Sequence, residues 1–396
     1  MSSSVLGNLV LGYQLVWDRQ RQPRAVQLFI NEAREHAAVD AAHLLAVLDD
    51  AWFKYSPTLV LSAQSKPLLL DLLQHATPDG PWITVQQDQL ADAQTAALVQ
   101  AAHARGLQLL WRGKAGQAPE SGLLACFARG MFTLAGEPAR PGLDGQICEA
   151  ISSRTLAADC LDRQAAWGVA GWPSDRVLPS GDEEPQMQRF QPSRQAITAL
   201  LKAVDADASM EVIEHTLAEE PVLVYRFLLY TNSASLGLRN PAESLRHGLM
   251  LLGLSTLQRW LTDQLPHATS DPDLKPVRDA IVLRARLAEV LLDAGGEDTL
   301  RREVYLCGLL SQIDLVLGEP LASALHRLPL SERIISAVLR NSGPYTPYLE
   351  IATALEWPQT AKVPDLCEAH GVDIADVNRA LLRVLSHLQP QAAGRR

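Results

Sequence analysis

The sequence predicts an α/β region of some 175 residues followed by an all-helical one. Three observations carry this. Up to about residue 175, short strand-like runs alternate with stretches of helical period. From Leu178 to Ser193 periodicity vanishes, and three prolines, a glycine and the acidic run Asp182, Glu183, Glu184 gather in its place. Beyond that stretch the strand pattern does not return. The expected division is therefore 1–177 for the α/β domain, 178–193 for a linker and 194–396 for the helical domain.

Val5 to Leu11 reads as a strand, and Ala25 to Ile30 as a second one after the polar turn Asp18 to Pro23. Asp40 to Tyr55 places Leu44, Val47, Leu48 and Trp52 at helical spacing. Strand Thr58 to Ser62, helix Lys66 to His75, strand Trp82 to Val85, helix Leu90 to Arg105 and strand Leu107 to Trp111 follow, with Gly106 as a helix stop. This alternation predicts a parallel α/β layout, open or closed into a barrel. Gly113 to Asp162 shows no clear pattern.

In the second part, Gln195 to Val204 is a short helix and Ser209 starts another. Pro221 suits the first position of a third, where its missing N–H costs nothing. Asn240, Pro241 and Glu243 give a helix start, with Leu245, Leu249 and Leu252 on one face and Gly253 as the stop. Ser255 with Gln258 reads as a capping box. Further helices are expected over Val277 to Ala294, Leu300 to Leu317, Leu321 to Leu328, Glu332 to Arg340, Tyr348 to Glu356 and Ile374 to Leu388.

The chain is 47% hydrophobic and 20% charged, which is globular, and its net charge of -10 gives no general pull toward nucleic acid or an anionic membrane. The five cysteines (126, 148, 160, 307 and 367) have neither metal-ligand nor redox-motif spacing and are expected to be reduced core thiols. Met1 to Gly7 lacks the basic and apolar regions of a signal peptide, and no run reaches the length of a membrane span, so a cytoplasmic location is expected.

No P-loop, Gly-x-Ser-x-Gly, paired-cysteine site or His-Glu-x-x-His occurs. His36 and His43 are seven apart but lack acidic neighbours at ligand spacing. His215, His247, His267 and His326 stand singly, and the pairs Asp205 with Asp207 and Asp271 with Asp273 suit helix capping. The clearest local signal is Tyr230-Thr231-Asn232-Ser233-Ala234, at the end of a strongly apolar helix. Asn232 and Ser233 are good helix-ending residues there, since both bond to backbone groups.

From Leu200 to about Glu356 the sequence resembles an HDOD domain. The matching runs are Glu219-Glu220-Pro221-Val222-Leu223, Phe227 to Ala234, Ser244 to Leu249, Leu251-Leu252-Gly253 and Leu257 to Leu261. Arg284 to Glu289, Leu306 to Leu310 and Leu328-Pro329-Leu330-Ser331 continue the series. Pro221, Asn232, Ser233, Leu252 and Gly253 are the signature positions; Glu220 departs from the Asp usual before the proline. HDOD domains resemble metal-dependent HD phosphohydrolases, and where those place a His-Asp pair this chain has Ser311 and Gln312. Neither replaces a bridging carboxylate.

The first part resembles EAL domains, the cyclic di-GMP phosphodiesterase barrels. Tyr13-Gln14-Leu15-Val16-Trp17-Asp18 falls where the name-giving motif would begin the barrel, with Gln14 for the metal-binding Glu and Asp18 for the phosphate-binding Arg. Val60 stands for the ligand Asn, Thr84 and Gln87 for a pair of carboxylates, and Arg112 and Gly113 for an Asp-Asp pair. Ala170-Gly171-Trp172-Pro173 resembles the end of the domain. The resemblance implies α/β plus all-α: a degenerate EAL-like (β/α) barrel followed by an all-helical HDOD domain. It further implies a non-catalytic regulatory protein with no cofactor or metal, working through an unidentified protein partner. Tight cyclic di-GMP binding, nucleic acid and a membrane are not expected. A receptor that binds cyclic di-GMP without hydrolysis, or a residual phosphodiesterase, is the alternative.

Overall fold

The structure, a computed structural model, describes residues 5–34, 39–134, 143–173, 191–233, 244–292 and 298–388. They form two compact units. One runs to Pro173 and resumes at Glu350; the other lies between.

Eight strands close the barrel of the first unit in chain order. They are β1 (Leu9–Trp17), β2 (Pro23–Glu32), β3 (Thr58–Ala63), β4 (Trp82–Gln86), β5 (Leu109–Lys114), β6 (Arg129–Thr133), β7 (Ile147–Glu149) and β8 (Gly168–Ala170). β1 runs antiparallel to both β2 and β8, and all other pairs are parallel. Helices α1 (Ala41–Ala51), α2 (Lys66–His75), α3 (Ala93–Ala104) and α4 (Arg154–Asp162) follow strands β2, β3, β4 and β7. Asp40, Asp92 and Ser153 cap three of them, each accepting from an N–H of the first turn.

The barrel interior is defined by one buried cluster that draws Val16, Ala25, Val60, Leu110, Met131, Ile147 and Ala170 from seven different strands. Only inward-facing side chains from so many strands can meet, as in the packed layers of other eight-stranded barrels. Side chains two residues further along each strand share that inward direction. The predicted strand Val5 to Leu11 is corrected: Val5–Gly7 is a short helical turn and the strand begins at Leu9. The patternless stretch Gly113 to Asp162 holds β6, β7 and α4, whose strands are too short to display a period.

The second unit is helical: α5 (Arg194–Asp205), α6 (Met210–Ala218), α7 (Pro221–Thr231), α8 (Leu245–Leu252), α9 (Leu254–Gln264), α10 (Lys275–Leu291), α11 (Asp298–Leu310), α12 (Ile313–Leu317), α13 (Leu321–Leu325) and α14 (Glu332–Arg340). Ser193, Ser209 and Ser244 cap α5, α6 and α8. The start expected at Asn240, Pro241 and Glu243 lies outside the described residues, as do His36 and nearly all of the linker. Two expectations change. Gly253, at φ +74°, both ends α8 and precedes α9, so Ser255 lies inside α9 and caps nothing. The helix expected over Leu300 to Leu317 is broken at Ser311 and Gln312 into α11 and α12.

The last helices are α15 (Thr346–Ala354), α16 (Lys362–His370) and α17 (Ile374–Ser386). Here the division at 194–396 needs correcting, because the described residues 350–388 pack with the barrel. α17 buries Val377, Leu381 and Leu385 and lies against the Val5–Gly7 turn, β1 and α1. Asn378, fully buried, fixes this contact: its Oδ1 accepts from Leu11 N at 3.0 Å and its Nδ2 donates to Leu6 O at 2.7 Å and Leu9 O at 2.8 Å. All five cysteines are buried free thiols. Among the described residues no helix is long and apolar enough to cross a membrane.

Candidate functional site

Above the apolar layer, toward the C-terminal ends of the parallel strands, the barrel interior turns polar. This is the end at which eight-stranded α/β barrels carry their sites. On β2, β3 and β4, Gln27, Ser62 and Thr84 form a buried chain. Gln27 Nε2 donates to Ser62 Oγ at 2.8 Å, Ser62 Oγ lies 2.7 Å from Thr84 Oγ1, and Thr84 Oγ1 donates to Leu61 O at 3.2 Å. Since the Thr84 proton goes to that carbonyl, the Ser62 hydroxyl is the donor between the two. Gln27 Oε1 is buried without a hydrogen-bond partner.

On β5, β6 and β7 stand Arg112, Thr133 and Glu149. Arg112 Nε reaches Glu149 Oε1 at 2.9 Å and Oε2 at 3.0 Å, and Thr133 Oγ1 donates to Oε1 at 2.6 Å. The Glu149 side chain is 4% exposed and that of Arg112 22%. Glu149 is thus the carboxylate of this layer, and a guanidinium and a hydroxyl already hold it.

Of the barrel positions expected from sequence, Gln14, Thr84 and Arg112 face this layer. Gln14 sits with its amide against Gly171. Val60 lies one layer below, in the apolar cluster, and Ser62 takes the polar place on β3. Asp18 is corrected. Because β1 runs antiparallel, its last residues lie at the opposite end of the barrel, where Asp18 Oδ1 accepts from Gln20 N and Gln22 N to shape the β1–β2 turn. Gln87 and Gly113 are corrected as well. Gln87 Oε1 takes the Trp111 indole N–H at 2.7 Å, and Gly113 faces that same Trp111 ring, which lies opposite in direction to Arg112 on β5. Gln27, Ser62, Thr133 and Glu149 were not anticipated. A glutamine amid the apolar run Ala25 to Ile30 was the available signal for the first.

The EAL resemblance implies a divalent cation, and these side chains do not suit one. Such ions take several oxygens, with carboxylates to balance their charge. Among the described residues of this layer a single carboxylate, Glu149, is consumed by Arg112, and Gln27, Ser62 and Thr84 are neutral. Among the described residues no group of three or more His, Cys, Asp and Glu side chains is placed to hold a metal ion. Replacing Glu149 by Gln strands Arg112 in a largely enclosed position, at an expected cost of about 2 kcal/mol. Urea denaturation read by tryptophan fluorescence checks this. The double replacement Arg112→Leu with Glu149→Leu should cost less than the single one, and equal losses would discount the ion pair.

In the helical unit the signature residues build helix ends. Pro221 is the first residue of α7, and Glu220 caps it through Leu223 N at 2.5 Å. Glu220 also accepts from Ser193 N at 3.2 Å and pairs with Arg278 Nε at 2.9 Å; burial pushes its carboxyl above the ordinary range despite that cation. Asn232 Nδ2 donates to Leu228 O and Ser233 Oγ to Tyr230 O, closing the far end of α7. Leu252 ends α8 before Gly253. Ser311 Oγ donates to Gly308 O at the end of α11, Gln312 precedes α12, and Asp314 is buried within α12.

Residues 190–327 form an HDOD domain by match to that family. Over 170 residues the chain is 22% identical to a protein named cyclic di-GMP phosphodiesterase CdgJ from Vibrio cholerae, an alignment covering 43% of this chain and 39% of that one. It is 27% identical over 156 residues to the uncharacterized protein YuxH of Bacillus subtilis, covering 37% and 35%. The chain thus spans well under half the length of the curated relatives it matches. Among solved structures, the MmoQ response regulator of Methylococcus capsulatus aligns with a TM-score of 0.41 at 16% identity, over 48% of this chain and 97% of that one. Klebsiella pneumoniae BlrP1, in a manganese and cyclic di-GMP complex, aligns with a TM-score of 0.31 at 13% identity, over 42% and 55%.

Proposed function

We propose that this chain is a cyclic di-GMP signalling protein that does not hydrolyse the nucleotide and acts by binding a protein partner. The HDOD domain and the name of the Vibrio cholerae relative support the signalling class. The Arg112–Glu149 pair carries the non-catalytic part: a cation stands beside Glu149, the one carboxylate among the described residues of the layer, where metal-assisted hydrolysis needs several free ones. In the helical domain Ser311 and Gln312 serve a helix break, which leaves packing and recognition as that domain's role. Neither nucleic acid nor a membrane is a partner in this reading, consistent with a net charge of -10.

The test is to incubate the intact protein with cyclic di-GMP and excess Mg2+ or Mn2+ and follow the linear dinucleotide. The expected result is no product above the protein-free control. Turnover that chelation abolishes would overturn the reading.

A further inference from the structure

We propose that the base of the barrel carries an oxyanion site, in which Arg24 and Arg129 bind a phosphate dianion beside the Trp167 ring. The site lies at the end away from the polar layer, where the parallel strands begin, and it stands whether or not the barrel hydrolyses a nucleotide.

Arg24 stands at the start of β2, Trp82 and Arg129 are the first residues of β4 and β6, and Trp167 immediately precedes β8. Trp167 is buried: its indole joins the apolar cluster of the barrel interior and packs on Trp82, with ring centroids 5.4 Å apart. The guanidinium carbon of Arg24 lies 4.2 Å from the Trp167 ring centroid, and that of Arg129 lies 5.1 Å from it. A backbone oxygen orients each: Arg24 Nη1 donates to Trp167 O at 3.3 Å, and Arg129 Nη1 donates to Gly145 O. A guanidinium over an indole keeps its remaining N–H groups in the planar fork that matches an oxyanion. Arg24 is exposed and Arg129 half-buried, so a ligand reaches them from solvent.

What these two cations lack is a counter-charge. Among the described residues no carboxylate comes within salt-bridge distance of either. Asp18, at the same end of the barrel, turns its Oδ1 to Gln20 N and Gln22 N, and Asp144, beside Gly145, pairs with neither arginine. In a chain with 45 acidic residues against 35 basic ones, two neighbouring guanidiniums without an acid are an exception. Burial, and then the nearby Arg24 charge, hold Arg129 below the ordinary arginine range, so each cation disfavours the other. A phosphate dianion takes up both charges and removes that repulsion. A carboxylate or a phosphodiester, with one charge each, does so only in part.

Titration of the intact protein with inorganic phosphate and with phenyl phosphate, followed by 31P NMR at constant ionic strength, tests this. At least one probe should bind saturably with a Kd of about 1 mM or tighter. Tighter binding of phenyl phosphate would mark an ester as the ligand, and tighter binding of inorganic phosphate the free ion; either supports the site. Arg24→Gln and Arg129→Gln should each weaken binding about tenfold. Arg340→Gln makes the same change in net charge at an exposed arginine of the helical unit and should leave binding unchanged. Where circular dichroism shows Arg129→Gln to be unfolded, Arg24→Gln and Arg24→Lys decide: lysine keeps the charge without the fork and should weaken binding about threefold. Acetate, observed by 13C NMR, should bind about tenfold more weakly than phosphate. No saturable binding of either probe below about 20 mM would overturn the proposal, as would acetate binding as tightly as phosphate. Undiminished binding in folded Arg24→Gln or Arg129→Gln would do the same.

Discussion

Asn378→Leu is expected to cost the barrel about 4 kcal/mol, because it removes three hydrogen bonds at once and leaves Leu11 N, Leu6 O and Leu9 O buried without partners. Leucine fills a similar volume, so the loss is one of polar satisfaction more than of packing. Against a typical domain stability of about 5–15 kcal/mol, this is a large fraction. Seven of the eight tryptophans lie in the barrel unit, so fluorescence during urea denaturation reports its unfolding directly. A loss below about 1 kcal/mol would mean that α17 is not part of the barrel's core. For the same reason a fragment ending at residue 177 should fail to give a stable barrel, since its first strand would lose both the helix that covers it and those three bonds.

Glu220→Ala is expected to destabilise the helical unit by about 3–5 kcal/mol. The substitution takes away the cap of α7, the acceptor for Ser193 N, and the counter-charge of Arg278, whose side chain is only 7% exposed. Most of the effect should come from the stranded guanidinium, so Glu220→Ala combined with Arg278→Met should recover part of the loss. Thermal melting followed by circular dichroism measures both. Equal midpoints for the single and double variants would put the whole effect in the cap. Glutamate here explains the departure from the usual Asp before the proline: the longer side chain spans from the cap amide to Arg278.

Much of the helical domain was legible because its signals are local. Ser209 caps where it should, Pro221 opens α7, and Asn232 with Ser233 closes it; each act depends on a few neighbouring residues. Several barrel strands were legible for a similar reason, as short apolar runs bounded by turns. What escaped depends on pairing. A side chain's direction in a strand is fixed by register, so Gln87 and Gly113 could not be told from Arg112 by spacing alone. The antiparallel course of β1, which sends Asp18 to the far end of the barrel, is likewise a matter of topology. Glu149 lies on a strand of three residues, too short for any period. The C-terminal helices were expected from sequence only as spans, and a helical period does not name the surface that covers it; these return to the barrel.

Titration calorimetry of cyclic di-GMP into the intact protein, with Mn2+ or Mg2+ present, tests the silent barrel most directly. Two phosphates need cations, oriented amides or a bound metal, and Arg112, the one guanidinium among the described residues of the polar layer, is committed to Glu149. No saturable heat is expected in the low micromolar range. Saturable binding at about 10 μM or tighter, lost in Arg112→Ala, would contradict it.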